Sequence, residues 1–170
     1  MRRLRKALLA SGATLLASLW VSGCLGGAVF DLADEPLEGL PPYGEVDPEE
    51  AAAVILALQG HAGFVLIDIR TPAEVETGHV PGAVNIDFRS AGFESEIDIL
   101  DRDLIYLIYC RTANRTGQAF ARMTEMGFSR IYDMRGGITL WDQLGYPVCE
   151  GPIGEEHTCI GQYPTEPSEG

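Results

Sequence analysis

The chain is short of basic residues. Twelve Lys and Arg stand against 25 Asp and Glu in 170 residues, a formal net charge of −13. Four of those twelve (Arg2, Arg3, Arg5 and Lys6) fall in the first 23 residues, which hold no acid. The remainder carries eight basic against 25 acidic residues, a net charge of −17. Such a surface repels phosphates, which excludes a nucleic-acid binder and argues against charge-driven docking on an anionic membrane. Metal-ligand spacing is missing too. The four cysteines (Cys24, Cys110, Cys149, Cys159) form no C-x-x-C, and His61, His79 and His157 are scattered. No metal is expected. Ala7 to Val21 is apolar but too short for a transmembrane helix. What is present is a hydrophobic fraction of 46%, enough for a real core in one domain with appendages.

One stretch concentrates the chemistry. Leu104-Ile105-Tyr106-Leu107-Ile108-Tyr109 is an unbroken apolar and aromatic run, as expected of a strand buried on both faces. From Gly117 onward, apolar residues recur at Ala119, Phe120, Met123 and Met126, with Gly127 as a stop. That spacing predicts a helix over 116–126. Cys110 therefore sits between the end of a strand and the start of a helix, beside Arg111 and Arg115. Backbone N–H groups converge at such a turn and favour an anion. A cysteine thiol is acidified at helix N-termini and beside arginine. Cys110 reads as an activated thiolate.

Along the chain, Met1 to Lys6 is a basic start, followed by the apolar segment and Val21-Ser22-Gly23-Cys24. The last four resemble the lipobox of bacterial lipoproteins. The resemblance implies a signal peptide over 1–23, cleavage before Cys24, and a lipid on Cys24. The alternative is an ordinary secretory signal. Two or three acyl chains anchor stably, where one would be marginal. Leu25 stands where Asp would resemble an inner-membrane retention signal, so the periplasmic side of the outer membrane is favoured if the cell is Gram-negative. Residues 24–45 read as an acidic, flexible tether. Asp47-Pro48-Glu49-Glu50 and Thr71-Pro72-Ala73-Glu74 carry helix-start chemistry. They predict helices to about Gln59 and to Gly78. Strands are expected at 64–68, 83–86, 104–109 and 129–133, with further helices at 93–100 and 138–144. This alternation predicts an α/β fold with a parallel sheet covered by helices on both faces. Ligand sites in such sheets lie beyond the carboxyl ends of strands, which is where Cys110 lies. Residues 150–170 read as a polar tail. Outside the cytosol Cys149 and Cys159 can close a small disulfide. Two reduced thiols, or a resolving role toward Cys110, are the alternatives.

Three motifs now align with one family. Asp68-Ile-Arg70-Thr-Pro-Ala-Glu74 followed by Gly78-His79-Val80-Pro81-Gly82-Ala83 resembles the rhodanese-homology signature. Cys110-Arg111-Thr112-Ala113-Asn114-Arg115 resembles the six-residue rhodanese active loop. Gly136-Gly137-Ile138 with Trp141 and Gly145-Tyr146-Pro147 resembles the C-terminal motif of that family. The resemblance covers a single domain over 46–149 and implies a central parallel sheet of about five strands. It implies sulfurtransferase chemistry through a covalent persulfide on Cys110, with no cofactor. The donor would be thiosulfate or a polysulfide, and the acceptor a thiol, a protein or cyanide. Arg111, Thr112, Ala113, Asn114, Arg115 and Thr116 are the candidate substrate-binding residues, Arg115 foremost. Asp68, Arg70, Glu74 and His79 are expected to scaffold the site. Trp141 and Phe128 are expected in the core, and Tyr109 is a candidate for the pocket floor. The loop often carries Gly where this chain has Ala113. If that position needs positive φ, Ala there is strained by about 1 kcal/mol. A sulfane-sulfur carrier that delivers to a partner protein is the alternative function. The related phosphatase and arsenate-reductase loops resemble C-x5-R, one residue longer between Cys and Arg than Cys110 to Arg115.

Overall fold

The computed structural model describes residues 39–154 and 158–163. The proposed signal peptide and Cys24 lie outside the described residues.

Five parallel strands form the sheet: β1 (Gly44–Val46), β2 (Phe64–Asp68), β3 (Val84–Asn85), β4 (Ile105–Tyr109) and β5 (Ile131–Met134), in the order β1-β5-β4-β2-β3. The most apolar strand, β4, takes the middle, where all five of its residues are buried. Its side chains alternate between two cores. Ile105, Leu107 and Tyr109 face one side, together with α1 (Pro48–Leu58) and α5 (Gly137–Gln143). Tyr106 and Ile108 face the other, together with α3 (Phe93–Asp98) and α4 (Asn114–Glu125). Cys110, one residue past β4, belongs to the second side.

Two helix starts are built as their sequences predict. At α1, Asp47 accepts from the Glu50 N–H at 2.9 Å while Glu50 accepts from the Asp47 N–H at 2.9 Å. Thr71 and Glu74 form the same reciprocal cap on α2 (Pro72–Glu76). Each cap satisfies N–H groups that the first helical turn leaves unpaired.

The structure corrects two expectations at the edges of the domain. The tether does not extend to residue 45. Gly44–Val46 is β1, paired in register with Tyr132–Met134. The Tyr132 hydroxyl donates to the Pro41 carbonyl at 3.0 Å, and the Tyr43 ring lies 5.0 Å from that of Tyr132. Three residues give too little alternation to announce a strand. What recruits them is the open edge of β5. The polar tail is also more than a tail. β6 (Val148–Glu150) pairs antiparallel with β7 (Thr158–Ile160), and Cys149 is bonded to Cys159 within that pair. Ile153 and Tyr163 pack on the α1/α5 core, with Tyr163 edge-on to Trp141 at 6.0 Å. A sparse scatter of apolar residues concealed this contribution.

Candidate active site

Cys110 directly follows β4 and is 1% exposed. It is the one free cysteine among the described residues. The loop after it runs from Arg111 to Ala113, and α4 begins at Asn114, two residues before the predicted start. Thr116 therefore lies in the first turn of the helix, with its hydroxyl donating to the Ala113 carbonyl at 3.1 Å. Ala113 occupies the left-handed region, φ 66°, and is the one non-glycine residue to do so among those described. The position does need positive φ, and an alanine pays for it in strain.

The first turn of α5 clamps the loop from the other side. The Ile138 N–H donates to the Cys110 carbonyl at 2.9 Å, and the Thr139 N–H to the Arg111 carbonyl at 3.1 Å. Both loop carbonyls are thereby held toward α5. This approach requires Gly137, whose φ is +56°. A Cβ there would lie 2.3 Å from the Cys110 carbonyl oxygen. The importance of Gly137 was legible as half of the Gly136-Gly137 motif, but its contact with Cys110 was not.

Arg115 turns toward α2. Its two terminal nitrogens donate to the two Glu74 oxygens at 2.8 and 2.6 Å. Glu74 also accepts from the Thr71 N–H and hydroxyl. The Arg115 bonds foremost, with those from Thr71, lower the Glu74 carboxyl to a pKa of about 2. The Arg115 guanidinium is held above its usual range, chiefly by Glu74 and in smaller part by the Cys110 and Asp68 charges. Arg115 is thus ion-paired with Glu74 while it stays in the field of Cys110. Arg111 is exposed and has no ion pair among the described residues. Thr112 and Asn114 are exposed as well.

The scaffolding residues divide. Asp68 and Arg70 form a buried pair, with the Arg70 Nε 3.0 Å from both carboxylate oxygens. Arg70 also donates to the Glu74 and Gly78 carbonyls. Burial opposes its charge, but Asp68, Tyr109 and Glu74 together hold it above its usual value. His79 follows Gly78 and is buried, with Nδ1 3.3 Å from the Val75 carbonyl, and its backbone bridges to that of Cys149 in both directions. Tyr109 is fully buried and accepts from the Val80 N–H at 3.0 Å. Burial pushes its phenol well above the usual range. Trp141 is a core residue, donating from Nε1 to the Pro147 carbonyl at 2.8 Å.

A cavity of about 440 Å³ opens beside the loop. Arg111, Thr139 and Asp142 line one side, and Glu74, Thr77 and Gly78 the other. Tyr109 is not among its walls. Among the described residues no cluster of His, Cys, Asp or Glu is placed to hold a metal ion, and no helix is long and apolar enough to cross a membrane.

Comparison with known proteins agrees with this fold. The family model described as the rhodanese-like domain matches residues 51–144. A sulfurtransferase of Allochromatium vinosum is 37% identical over 84 residues, 49% of this chain and 77% of that protein. Thiosulfate sulfurtransferase GlpE of Pseudomonas syringae is 35% identical over 106 residues, 62% of this chain and 92% of that protein. Among solved structures, a rhodanese-related protein of Thermoplasma volcanium superposes with a TM-score of 0.51 at 28% identity. It covers 62% of this chain and 97% of its own. These relatives support sulfur transfer in general as the chemistry of the fold seen here.

Proposed function

The chain belongs to the rhodanese-like domain family, and from that premise we propose a membrane-anchored sulfurtransferase that moves sulfane sulfur through a Cys110 persulfide. The observation that carries this reading is Cys110 itself. It is a free cysteine between the end of a parallel strand and a helix N-terminus, with its loop clamped by α5 and Arg115 fixed nearby.

In the first step the Cys110 thiolate attacks the sulfane sulfur of thiosulfate or a polysulfide. The new S–S bond forms as the old one breaks, and its electron pair leaves on sulfite or on the shortened polysulfide. Cys110 then carries an anionic persulfide, which the helix N-terminus and the Arg115 charge favour. In the second step an acceptor thiolate or cyanide attacks the terminal sulfur. The electron pair of that S–S bond returns to Cys110 as thiolate. Thiocyanate formation from thiosulfate and cyanide tests the proposal. Cys110→Ser is expected to lower it by about a thousandfold or more. Full activity in that variant would refute it.

One observation favours a second reading. Glu74 bonds both terminal nitrogens of Arg115, and Arg111 has no ion pair among the described residues. A site with so little spare positive charge also suits a carrier that receives sulfur from a partner protein. A stable adduct of one sulfur atom by mass spectrometry, with slow turnover of thiosulfate, would select this reading.

Membrane anchorage is proposed through lipid on Cys24. The Cys149–Cys159 disulfide supports a location outside the cytosol, where such bonds persist. Palmitate labelling that disappears in Cys24→Ala is the expected result.

A further inference from the structure

Asp133 sits on β5 in the middle of one row. Its register partners are Glu45 on β1 and Ile108 on β4. Partners in a parallel pair share a face, and Cys110 follows Ile108 by two residues, so Asp133 and Cys110 lie on the same side of the sheet. That side is covered by α4. Asp133 is 4% exposed, and its Oδ1 has no hydrogen-bond partner among the described residues. A buried carboxyl with an unsatisfied oxygen is costly and calls for an explanation.

The explanation lies in the helix packed on β5. Thr116 is fully buried in the first turn of α4, and its hydroxyl favours the ionised form of the Asp133 carboxyl. The same hydroxyl donates to the Ala113 carbonyl at 3.1 Å, where the second donor is the Gly117 N–H at a longer 3.3 Å. A hydroxyl has a single proton to give. With Asp133 protonated, its O–H can donate to the Thr116 oxygen while Thr116 keeps its bond to Ala113. With Asp133 ionised, two acceptors compete for that one proton, and the left-handed Ala113 loses part of its anchor.

We propose that Asp133 is a positioning residue of the Cys110 loop, acting through Thr116 on the strained residue Ala113. The proposal rests on the sulfur-transfer reading only for its effect on rate. Burial, aided by Glu45 and opposed by Thr116, raises the carboxyl to a pKa of about 6, so the competition falls within an accessible range. The other groups facing Asp133 are few. Glu45 is paired with Arg135 at 3.5 Å, and the Cys110 thiol lies beyond Ile108 on the same face. Arg115, on α4, is committed to Glu74.

Two measurements test this on the full chain. In the 15N-labelled protein, the Ala113 and Asn114 amide shifts are expected to titrate with a midpoint near about 6, and to lose that transition in Asp133→Asn. Asn can donate to Thr116 at every pH. The second measurement is the ratio of kcat/KM for Asp133→Asn to that of the wild type at each pH. It should rise from about one near pH 5 to about fivefold near pH 8, one hydrogen bond being at stake, and stay flat in a Thr116→Val background. Loop amides that do not titrate, or that titrate identically in Asp133→Asn, overturn the inference, as does a flat ratio. If the wild type transfers no sulfur, the functional reading fails, and the amide titration still decides the role of Asp133. Thermal unfolding of each variant separates loss of fold from loss of positioning.

Discussion

At the scale of single residues, the site is a set of small conflicts settled by neighbours. Ala113 holds a conformation that disfavours a Cβ, and it does so because the chain must turn from β4 into α4 within four residues. Replacing it with glycine relieves strain but frees the unfolded chain. Ala113→Gly is therefore expected to stabilise the protein by about 0.5 to 1 kcal/mol, read from urea unfolding. Glu74 is a different case. Its folded pKa lies below the ordinary value of 4.5, at about 2. The stabilisation it contributes is fully present above pH 4.5 and is lost as pH falls through about 2. Glu74→Gln should then lose about 1 to 2 kcal/mol at neutral pH, discounted for partial exposure of the pair. The gap between wild type and variant should narrow as unfolding is measured at successively lower pH. The identities of Cys110, Arg115 and Glu74 were legible in the sequence, because each belongs to a motif. The grip of Glu74 on Arg115 was not, since 41 residues separate them.

At the scale of elements, local chemistry and long-range contact divide the work. The starts of α1 and α2 were readable because caps, prolines and N3 glutamates act within four residues. The start of α4 was misplaced by two residues because nothing local caps it. Ala113 provides no side-chain bond there, and tertiary contacts of the loop decide where the helix begins. α5 shows the reverse dependence. Its first turn forms over the Cys110 loop, and Gly137 is what lets the two backbones meet. Gly137→Ala is expected to displace the loop, destabilise the domain by about 1 to 3 kcal/mol and lower sulfur transfer about a hundredfold. Circular dichroism with the thiocyanate assay would show whether activity falls in a still-folded protein.

At the scale of the whole molecule, the ends of the domain fasten the sheet. β1 closes one edge beside β5, and the β6–β7 pair carries Tyr163 back to Trp141. The Cys149–Cys159 bond holds that pair across ten residues of sequence. Breaking it should cost about 2 to 3 kcal/mol, most of it by freeing the unfolded chain. Cys149→Ser with Cys159→Ser is expected to lower the Tm, and a reducing agent to lower that of the wild type alone. The bridge also reaches toward the site, since the Cys149 backbone pairs with that of His79 behind α2. Loss of the bond is thus expected to loosen the α2 side of the cavity before the Cys110 loop.

The sequence by itself determined the α/β alternation, the central place of β4 and the cysteine at its end. Each depends on runs, caps and spacings that operate over a few neighbouring residues. Tertiary structure alone decided that residues 44–46 complete the sheet, that Arg115 answers to Glu74, and that Gly137 must yield its side chain to the Cys110 carbonyl. The physical reason is the same for all three. Strand pairing, ion pairing and steric approach depend on distance in space, and the fold brings together residues that the sequence holds far apart.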